Sequence, residues 1–336
     1  MRFDKRWAAA LFVLIFVVGS SGQSSQNKPL VYKKKYIMGT VFEIAAYGET
    51  SEQTAAAIDK AFQEIVRMDD LMSNYKPESA LSHLNRSAHF HAEKVSPDLY
   101  RAIERGVQLS SLSDGKFDIT VAPLVNLWKA ALAGGSVPSP QQQQQAQACV
   151  GYDKIELTPP DQIVFHSSCL QLDLGAIGKG YAVDRAADVL HSLRIQNALI
   201  NAGGSTILAM GSPPGQPGWL VHLRDPSHKI DPYVILKNES VSTSEQTSRS
   251  LLGPDSPGHI IDPATGRPLD TELAVSVIAP TGTLSDGFST TLLLLGPKPG
   301  KALVNRTSAV SAIWLSPKAE IEMSTNGPQI LLGGKL

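Results

Sequence analysis

The chain has 336 residues, 42% of them hydrophobic, which is enough for a sizeable buried core and excludes a disordered or fibrous protein. Its 30 Lys and Arg against 31 Asp and Glu leave a formal net charge of −1, so no basic field spreads over the whole surface to recruit nucleic acid. A small ligand or a protein partner is expected instead.

The amino terminus has a basic start, Met1-Arg2-Phe3-Asp4-Lys5-Arg6, an apolar run from Trp7 to Val18 and small residues at Gly19-Ser20-Ser21-Gly22. That is the pattern of a secretory signal peptide over residues 1–22, shorter than the roughly 20 apolar residues of a comfortable membrane span. Export to the periplasm is expected, and an uncleaved anchor in the inner membrane is the alternative. No cysteine follows the run, so a lipoprotein is not expected. Residues 23–30 read as a disordered linker and residues 31–336 as a single domain.

Val31 to Tyr47 reads as a strand pair turning at Met38-Gly39-Thr40. Ser51 is expected to cap a helix whose apolar residues Ala55, Ile58, Phe62, Ile65, Met68 and Leu71 recur every three or four positions. The turn-rich segment Met72 to Ser79 carries Tyr75, either a packed side chain or a stacking surface for a ring. His89 and His91 alternate on a segment read as extended and on the surface. Ser96-Pro97 opens a helix to Leu112, stopped by Ser113-Asp114-Gly115. The tract Gln141 to Gln145 is either the start of a helix or a surface loop. Tyr152 to Leu157 and Gln162 to His166 read as strands. The two cysteines, Cys149 and Cys169, are either bridged in an oxidising compartment or two small buried residues.

Leu172 to Gly180 offers a short apolar strand, a glycine turn whose amides can face a phosphate, and Lys179 just before a helix over Gly180 to Leu193. It is not a P-loop, because no Ser or Thr follows the lysine. Ala198 to Gly204 is a strand ending in two glycines, at a bulge or at a close approach to a ligand. Strands follow at Trp219 to Leu223 and Tyr233 to Leu236. Gly258 to Pro268 is a turn in which His259 either accepts a proton near neutral pH or is a satisfied loop residue. After the strand Ala274 to Ile278, Ser285 opens a helix on which Asp286 and Thr290, four apart, share one face. Such oxygens suit a hard cation, although an Asp there can also merely cap amides. Ala312 to Leu315 and Glu320 to Ser324 read as a hairpin.

Taken in order, Met38-Gly39-Thr40, Ser73-Asn74-Tyr75, Gly115 to Trp128, Leu172 to Asp184, Asn201 to Gly204, His259 to Pro268 and Ser285 to Thr290 resemble the FAD:protein FMN transferase family, known as ApbE. The resemblance covers nearly all of the chain after about Tyr36. It implies an α+β fold with mixed or antiparallel sheets, packed helices and a central FAD cleft. It also implies an enzyme that uses Mg²⁺ to move FMN from FAD onto a threonine of an acceptor flavoprotein, releasing AMP. Met38, Tyr75, Lys116, Phe117, Asp118, Asp173, Lys179, His259 and Ile261 would then bind the flavin nucleotide. The Ala176 carbonyl, Asp286, Ser289 and Thr290 would hold the metal. Lys179 and the metal would stabilise the leaving charge, with His259 as candidate base and Asp286 as its rival. No Ser/Thr-Gly-Ala-Thr acceptor pattern is evident in the chain itself, so self-flavinylation is not expected.

Three departures stand out. Glu245 occupies a position that is usually glycine, Ser289 one that is a second aspartate in some members, and Gly178 one that is often alanine. An FAD pyrophosphatase or a non-catalytic flavin-binding protein would carry much the same residues.

Overall fold

The computed structural model describes residues 28–246 and 258–333. The expected signal peptide, most of the linker and Thr247-Ser248-Arg249 lie outside the described residues. The first half comprises β1 (Leu30–Ile37), β2 (Thr40–Tyr47), α1 (Ser51–Met72), α2 (Ala80–Ser87), β3 (Glu93–Lys94), α3 (Pro97–Leu112), α4 (Ala122–Ala133), α5 (Pro140–Ala148), β4 (Ile155–Thr158) and β5 (Gln162–Phe165). Then come α6 (Gly178–Ser192), β6 (Asn197–Ala202), β7 (Thr206–Met210), β8 (Trp219–His222), β9 (Pro232–Leu236), β10 (Glu239–Glu245), β11 (Ile261–Asp262), β12 (Arg267–Pro268) and β13 (Ala274–Ala279). The chain continues through α7 (Gly282–Leu295), α8 (Pro297–Asn305), β14 (Ser311–Leu315), β15 (Ile321–Met323) and β16 (Leu331–Leu332). The class is α+β, as expected.

An antiparallel sheet of eight strands, ordered β1-β2-β6-β7-β10-β13-β14-β15, forms the framework. Because side chains alternate across a strand, its central members feed two cores at once. Val275, Val277 and Ala279 of β13 enter the larger core, shared with α1, α3, α6 and α7. Ala274 and Ile278 of the same strand enter the smaller one, closed by the three-stranded sheet β16-β9-β8 through Trp219, Val221 and Val234. The sheet is thus a middle layer, with helices on one face and a small sheet on the other.

Local chemistry accounts for the well-read elements. Met38 (φ 51°) and Gly39 (φ 74°) both take positive φ in the β1–β2 turn, as a two-residue hairpin compatible with strand twist requires. In α3, Ser96 accepts from the Leu99 amide and Pro97 supplies a preset φ in the first turn. The glutamine tract is helical: Ser139 and Gln142 form a capping box, and no residue of α5 is buried.

Several expectations need correction. The α1 cap is Thr50, whose hydroxyl accepts from the Gln53 amide, and Ser51 is already helical. Helix α6 begins at Gly178 rather than Gly180, and α7 begins at Gly282 behind the cap Thr281, three residues before Ser285. His89 lies in a turn, half-buried, instead of on an extended surface segment. Strand β6 ends at Ala202 beside the paired glycines, which form no bulge: Gly203 (φ 63°) and Gly204 (φ 71°) turn β6 into β7. No described helix is long and apolar enough to cross a membrane.

Cys149 and Cys169 are joined in a disulfide with Cα atoms 5.3 Å apart, tying the end of α5 to the segment that leads to α6. Their separation of 20 residues closes a loop whose chain entropy is worth about 3 kcal/mol. Reduction, or the double change Cys149→Ala and Cys169→Ala, is therefore expected to lower unfolding free energy by about 2–4 kcal/mol. Denaturant titration with and without reductant checks this, and coincident midpoints would contradict it.

Candidate active site

The site is organised by the crossing of α6 and α7. Gly180 and Gly282 meet there without side chains: a Cβ on Gly180 would lie 2.2 Å from the Gly282 carbonyl oxygen. Each helix caps the other. The Asp184 carboxylate of α6 accepts from the Gly282 and Thr283 amides of α7 at 2.6 and 2.9 Å, and from the Thr283 hydroxyl at 2.6 Å. Asp286 of α7 returns the bond, its Oδ2 accepting from the Gly180 amide of α6 at 2.8 Å. In a regular helical turn that amide would bond to the carbonyl four residues back, Ala176. Diverted to Asp286, it leaves the Ala176 carbonyl without a backbone donor among the described residues. A free carbonyl and a buried carboxylate are thereby brought to the same helix end.

Next to them runs a line of hydroxyls. Ser244, at the end of β10, lies 2.7 Å from Ser289 Oγ and 3.1 Å from Thr290 Oγ1, and Ser289 donates to the Asp286 carbonyl at 2.8 Å. Asp286, Thr290 and Ser244 line a cavity of about 640 Å³. Ser289 does not, because it is fully buried one layer behind.

The same cavity gathers Met38, Tyr75, Phe117, Asp118, Asp173, Ala176, Lys179, His259 and Ile261 from segments distant in sequence. Met38 comes from the β1–β2 turn. Tyr75 is 82% exposed at the rim, with Lys129 Nζ 4.8 Å from its ring centroid and 2.9 Å from its hydroxyl. Asp118 is buried, and its oxygens are engaged by the Thr120 amide and hydroxyl and by the Tyr152 amide, so it shapes the wall. Asp173 accepts from the Gly175 amide at 2.7 Å and fixes the turn before α6. Lys116 is off the wall, its Nζ paired with Asp262 at 2.8 Å, where it ties the Phe117 segment to β11.

A family model described as ApbE family matches residues 38–314. The chain belongs to the ApbE family. It is 31% identical over 304 residues to the FAD:protein FMN transferase of Escherichia coli (strain K12), covering 84% of this chain and 86% of that protein. The FAD:protein FMN transferase of Klebsiella pneumoniae (strain 342) is 29% identical over 318 residues, covering 90% and 93%. Among solved structures, the flavin transferase ApbE from Vibrio cholerae superposes with a TM-score of 0.76 at 25% identity, over 89% of this chain and 98% of that one. The ApbE protein of Thermotoga maritima gives a TM-score of 0.78 at 25% identity, over 88% and 97%. This ApbE-family chain is accordingly a transferase enzyme.

Desolvation and nearby lysines set the electrostatics of the ApbE site. The Asp286 carboxyl is pushed up by desolvation, against the pull of Lys179, the Gly180 amide and the Thr206 hydroxyl. His259 is pushed below the ordinary histidine value by desolvation first and then by Lys179 and Lys129, with Glu245 opposing. Lys179 forms no ion pair among the described residues and touches only the Gly175 carbonyl, at 3.4 Å, so its charge is available to the cavity.

The donor set can be tested against a divalent cation. No group of three or more His, Cys, Asp or Glu suited to a metal occurs among the described residues. One buried carboxylate with hydroxyl and carbonyl oxygens does fit Mg²⁺, which binds through one or two carboxylates and completes its shell with phosphate and water. Burial that raises the Asp286 carboxyl without a matching ion pair is what such a cation would relieve.

Sequence reasoning missed Ser244, Lys129 and Arg224 on the wall. Arg224 pairs with Glu245 at 2.7 Å and reaches the Gly203 carbonyl at 3.3 Å, so the departure at Glu245 is accommodated by an ion pair beside the cavity. Only the position of Ser244 beside Glu245 could have signalled its role. Lys129 and Arg224 carried no local signal.

Proposed function

We propose that this chain is a Mg²⁺-dependent FAD:protein FMN transferase that moves FMN onto a threonine hydroxyl of an acceptor flavoprotein and releases AMP. The observation carrying this reading is the convergence in one cavity large enough for a dinucleotide of the buried Asp286 carboxylate with the Ala176 carbonyl and Lys179, which have no backbone donor and no ion pair, respectively, among the described residues. The reading includes export to the periplasm on the leader-like segment over residues 1–22.

The chain's own groups divide the work. The exposed ring of Tyr75 and the side chains of Met38, Phe117 and Ile261 supply apolar surface for the flavin nucleotide. Asp286, Thr290 and the Ala176 carbonyl would hold Mg²⁺, which when bound supplies Lewis-acid compensation for charge on the diphosphate. Lys179 stands at the amino-terminal end of α6, where ammonium and helix amides favour the same anion. The threonine oxygen bonds to the flavin-side phosphorus, the bond from that phosphorus to the bridging oxygen breaks, and the bridging oxygen leaves with AMP. The threonine proton goes to His259. Desolvation by the cavity wall and two lysines lower the pKa of that imidazole, which is solvent-exposed and able to accept, whereas one oxygen of Asp286 is already occupied by the Gly180 amide.

Replacing the base, His259→Gln, is expected to reduce transfer by about 10²–10⁴-fold. In the native chain a base with a lowered pKa stays neutral further into acid, so transfer should persist below pH 6.5 and fall only as pH drops through that lower value. A pH–rate profile with its acid limb above 6.5 would contradict the assignment. The function itself is tested by incubating the chain with FAD, Mg²⁺ and an acceptor domain carrying a Ser-Gly-Ala-Thr segment. A mass gain equal to FMN on the threonine is the expected result. AMP release without acceptor would indicate hydrolysis, and no AMP under any condition a binding protein.

A further inference from the structure

We propose that Gln246 is a positioning residue that locks the His259 turn to the end of β10 and so aims the imidazole into the cavity. This rests on the reading of His259 as the base.

The geometry is specific. The Gln246 side-chain amide exchanges hydrogen bonds with both backbone groups of Ile260: Nε2 donates to its carbonyl at 3.0 Å, and Oε1 accepts from its amide at 3.1 Å. Nε2 also donates to the Leu269 carbonyl at 2.9 Å. Leu269 in turn donates its own amide to the Ile260 carbonyl at 2.8 Å, closing the base of the β11–β12 hairpin. One side-chain amide therefore stands in for a strand partner, making with Ile260 the double exchange of an antiparallel hydrogen-bonded pair. Gly258 makes room for it: a Cβ there would lie 2.0 Å from Gln246 Cδ. His259 sits between these two clamped positions, with Gly258 packed against the amide and Ile260 bonded to it.

The clamp joins the site to the central sheet. Gln246 directly follows β10, whose Ser244 meets Thr290 beside Asp286, so one strand end sets both the metal-side hydroxyls and the base. Among the described residues, the charged groups that act on His259 come from three elements: Lys179 of α6, Lys129 of α4 and Glu245 of β10. Gln246 is neutral and sets position without adding to that field.

The test uses the full chain with Gln246→Met, which keeps the volume and loses every hydrogen bond, and Gln246→Glu, which keeps an acceptor for Ile260 but cannot donate to the two carbonyls. Hydrogen exchange over residues 258–262 without ligand is the direct readout. In the native chain the Ile260 amide should be protected, and in Gln246→Met it should exchange at least about 10-fold faster while the core of α7 is unchanged. Using FAD, Mg²⁺ and the Ser-Gly-Ala-Thr acceptor domain, kcat should fall about 10–100-fold in both variants, because small misplacements of a reacting group are enough for this. KM for FAD should stay within about threefold, and the acid limb of the profile should move up as the imidazole leaves the field of Lys179 and Lys129.

An unprotected Ile260 amide in the native chain would overturn the proposal, whatever the variants do. So would protection lost with kcat unchanged, or a loss of FAD affinity equal to the loss of kcat. If the native chain protects Ile260 but transfers no FMN, the reading of the function fails and the exchange data still report on the clamp.

Discussion

Asp286→Asn is expected to reduce FMN transfer by at least about 10³-fold, about 4 kcal/mol in the barrier, while FAD binding persists. The asparagine oxygen can still accept from the Gly180 amide, as Asp286 Oδ2 does at 2.8 Å, so the α6–α7 crossing survives and only the charge is lost. Asp286→Ala removes charge and cap together and should be equally inactive, though less stable at the crossing. The linkage has a definite sign. Burial raises the folded-state pKa of this carboxyl above its unfolded value, so without metal the folded chain binds the proton more tightly. Stability is then greatest below the unfolded carboxylate range and falls as pH rises through the raised value. At neutral pH the metal-free Asp286→Asn variant should therefore melt higher than the native chain, and Mg²⁺ should raise the melting point of the native chain alone. Acceptor mass spectrometry and thermal melts with and without Mg²⁺ check both halves. Full Mg²⁺-dependent activity in the variant would refute the metal assignment.

The parts of this site that were legible in the sequence are those where chemistry is local. A Met-Gly turn, a Ser-Pro helix start and a glycine-rich approach to Lys179 each announce their backbone geometry within a few residues. The missed elements have another physical basis. Strand β10 reads Glu-Ser-Val-Ser-Thr-Ser-Glu, with no apolar alternation, yet Ser240, Ser242 and Thr243 are buried. They pack through hydroxyls: Ser285 Oγ lies 2.9 Å from Ser240 and 2.7 Å from Ser242, and Thr243 lies 2.7 Å from Ser276. A polar strand can occupy the middle of a sheet when its neighbours satisfy every hydroxyl, and only the fold supplies those neighbours. Helix α4 lacks a side-chain cap, and α2 and α8 are short, so their local signals were weak. Ser289 illustrates the limit within a motif. Helical spacing places it near Asp286, but which face looks into the cavity depends on how α7 rests on β10. That face turned out to carry Thr290, with Ser289 buried behind.

Gly180→Ala is expected to destabilise the chain by about 3 kcal/mol or more and to abolish metal-dependent transfer. Its Cβ would fall 2.2 Å from the Gly282 carbonyl oxygen, 2.5 Å from the carbonyl carbon and 2.7 Å from Asp286 Cβ. The first two are backbone atoms held by the Asp184 cap, so no flexible side chain can swing away to relieve the clash. The helices must separate, and separation pulls the Gly180 amide from Asp286 and Asp286 from the Ala176 carbonyl. Stability and activity should be coupled at this point because the packing contact and the proposed metal ligands share the same atoms. Gly282→Ala meets the Gly180 carbonyl at 2.6 Å and Val183 Cγ2 at 2.4 Å, and should fail in the same way. By contrast, Gly178→Ala, with only Met38 Cε at 3.7 Å in its way, should fold normally. Denaturant midpoints and Mg²⁺-induced melting shifts for the three variants form the test. If Gly180→Ala keeps the native Mg²⁺ shift, the helix crossing does not set the metal geometry, and the site must be held together by the β10 hydroxyls instead.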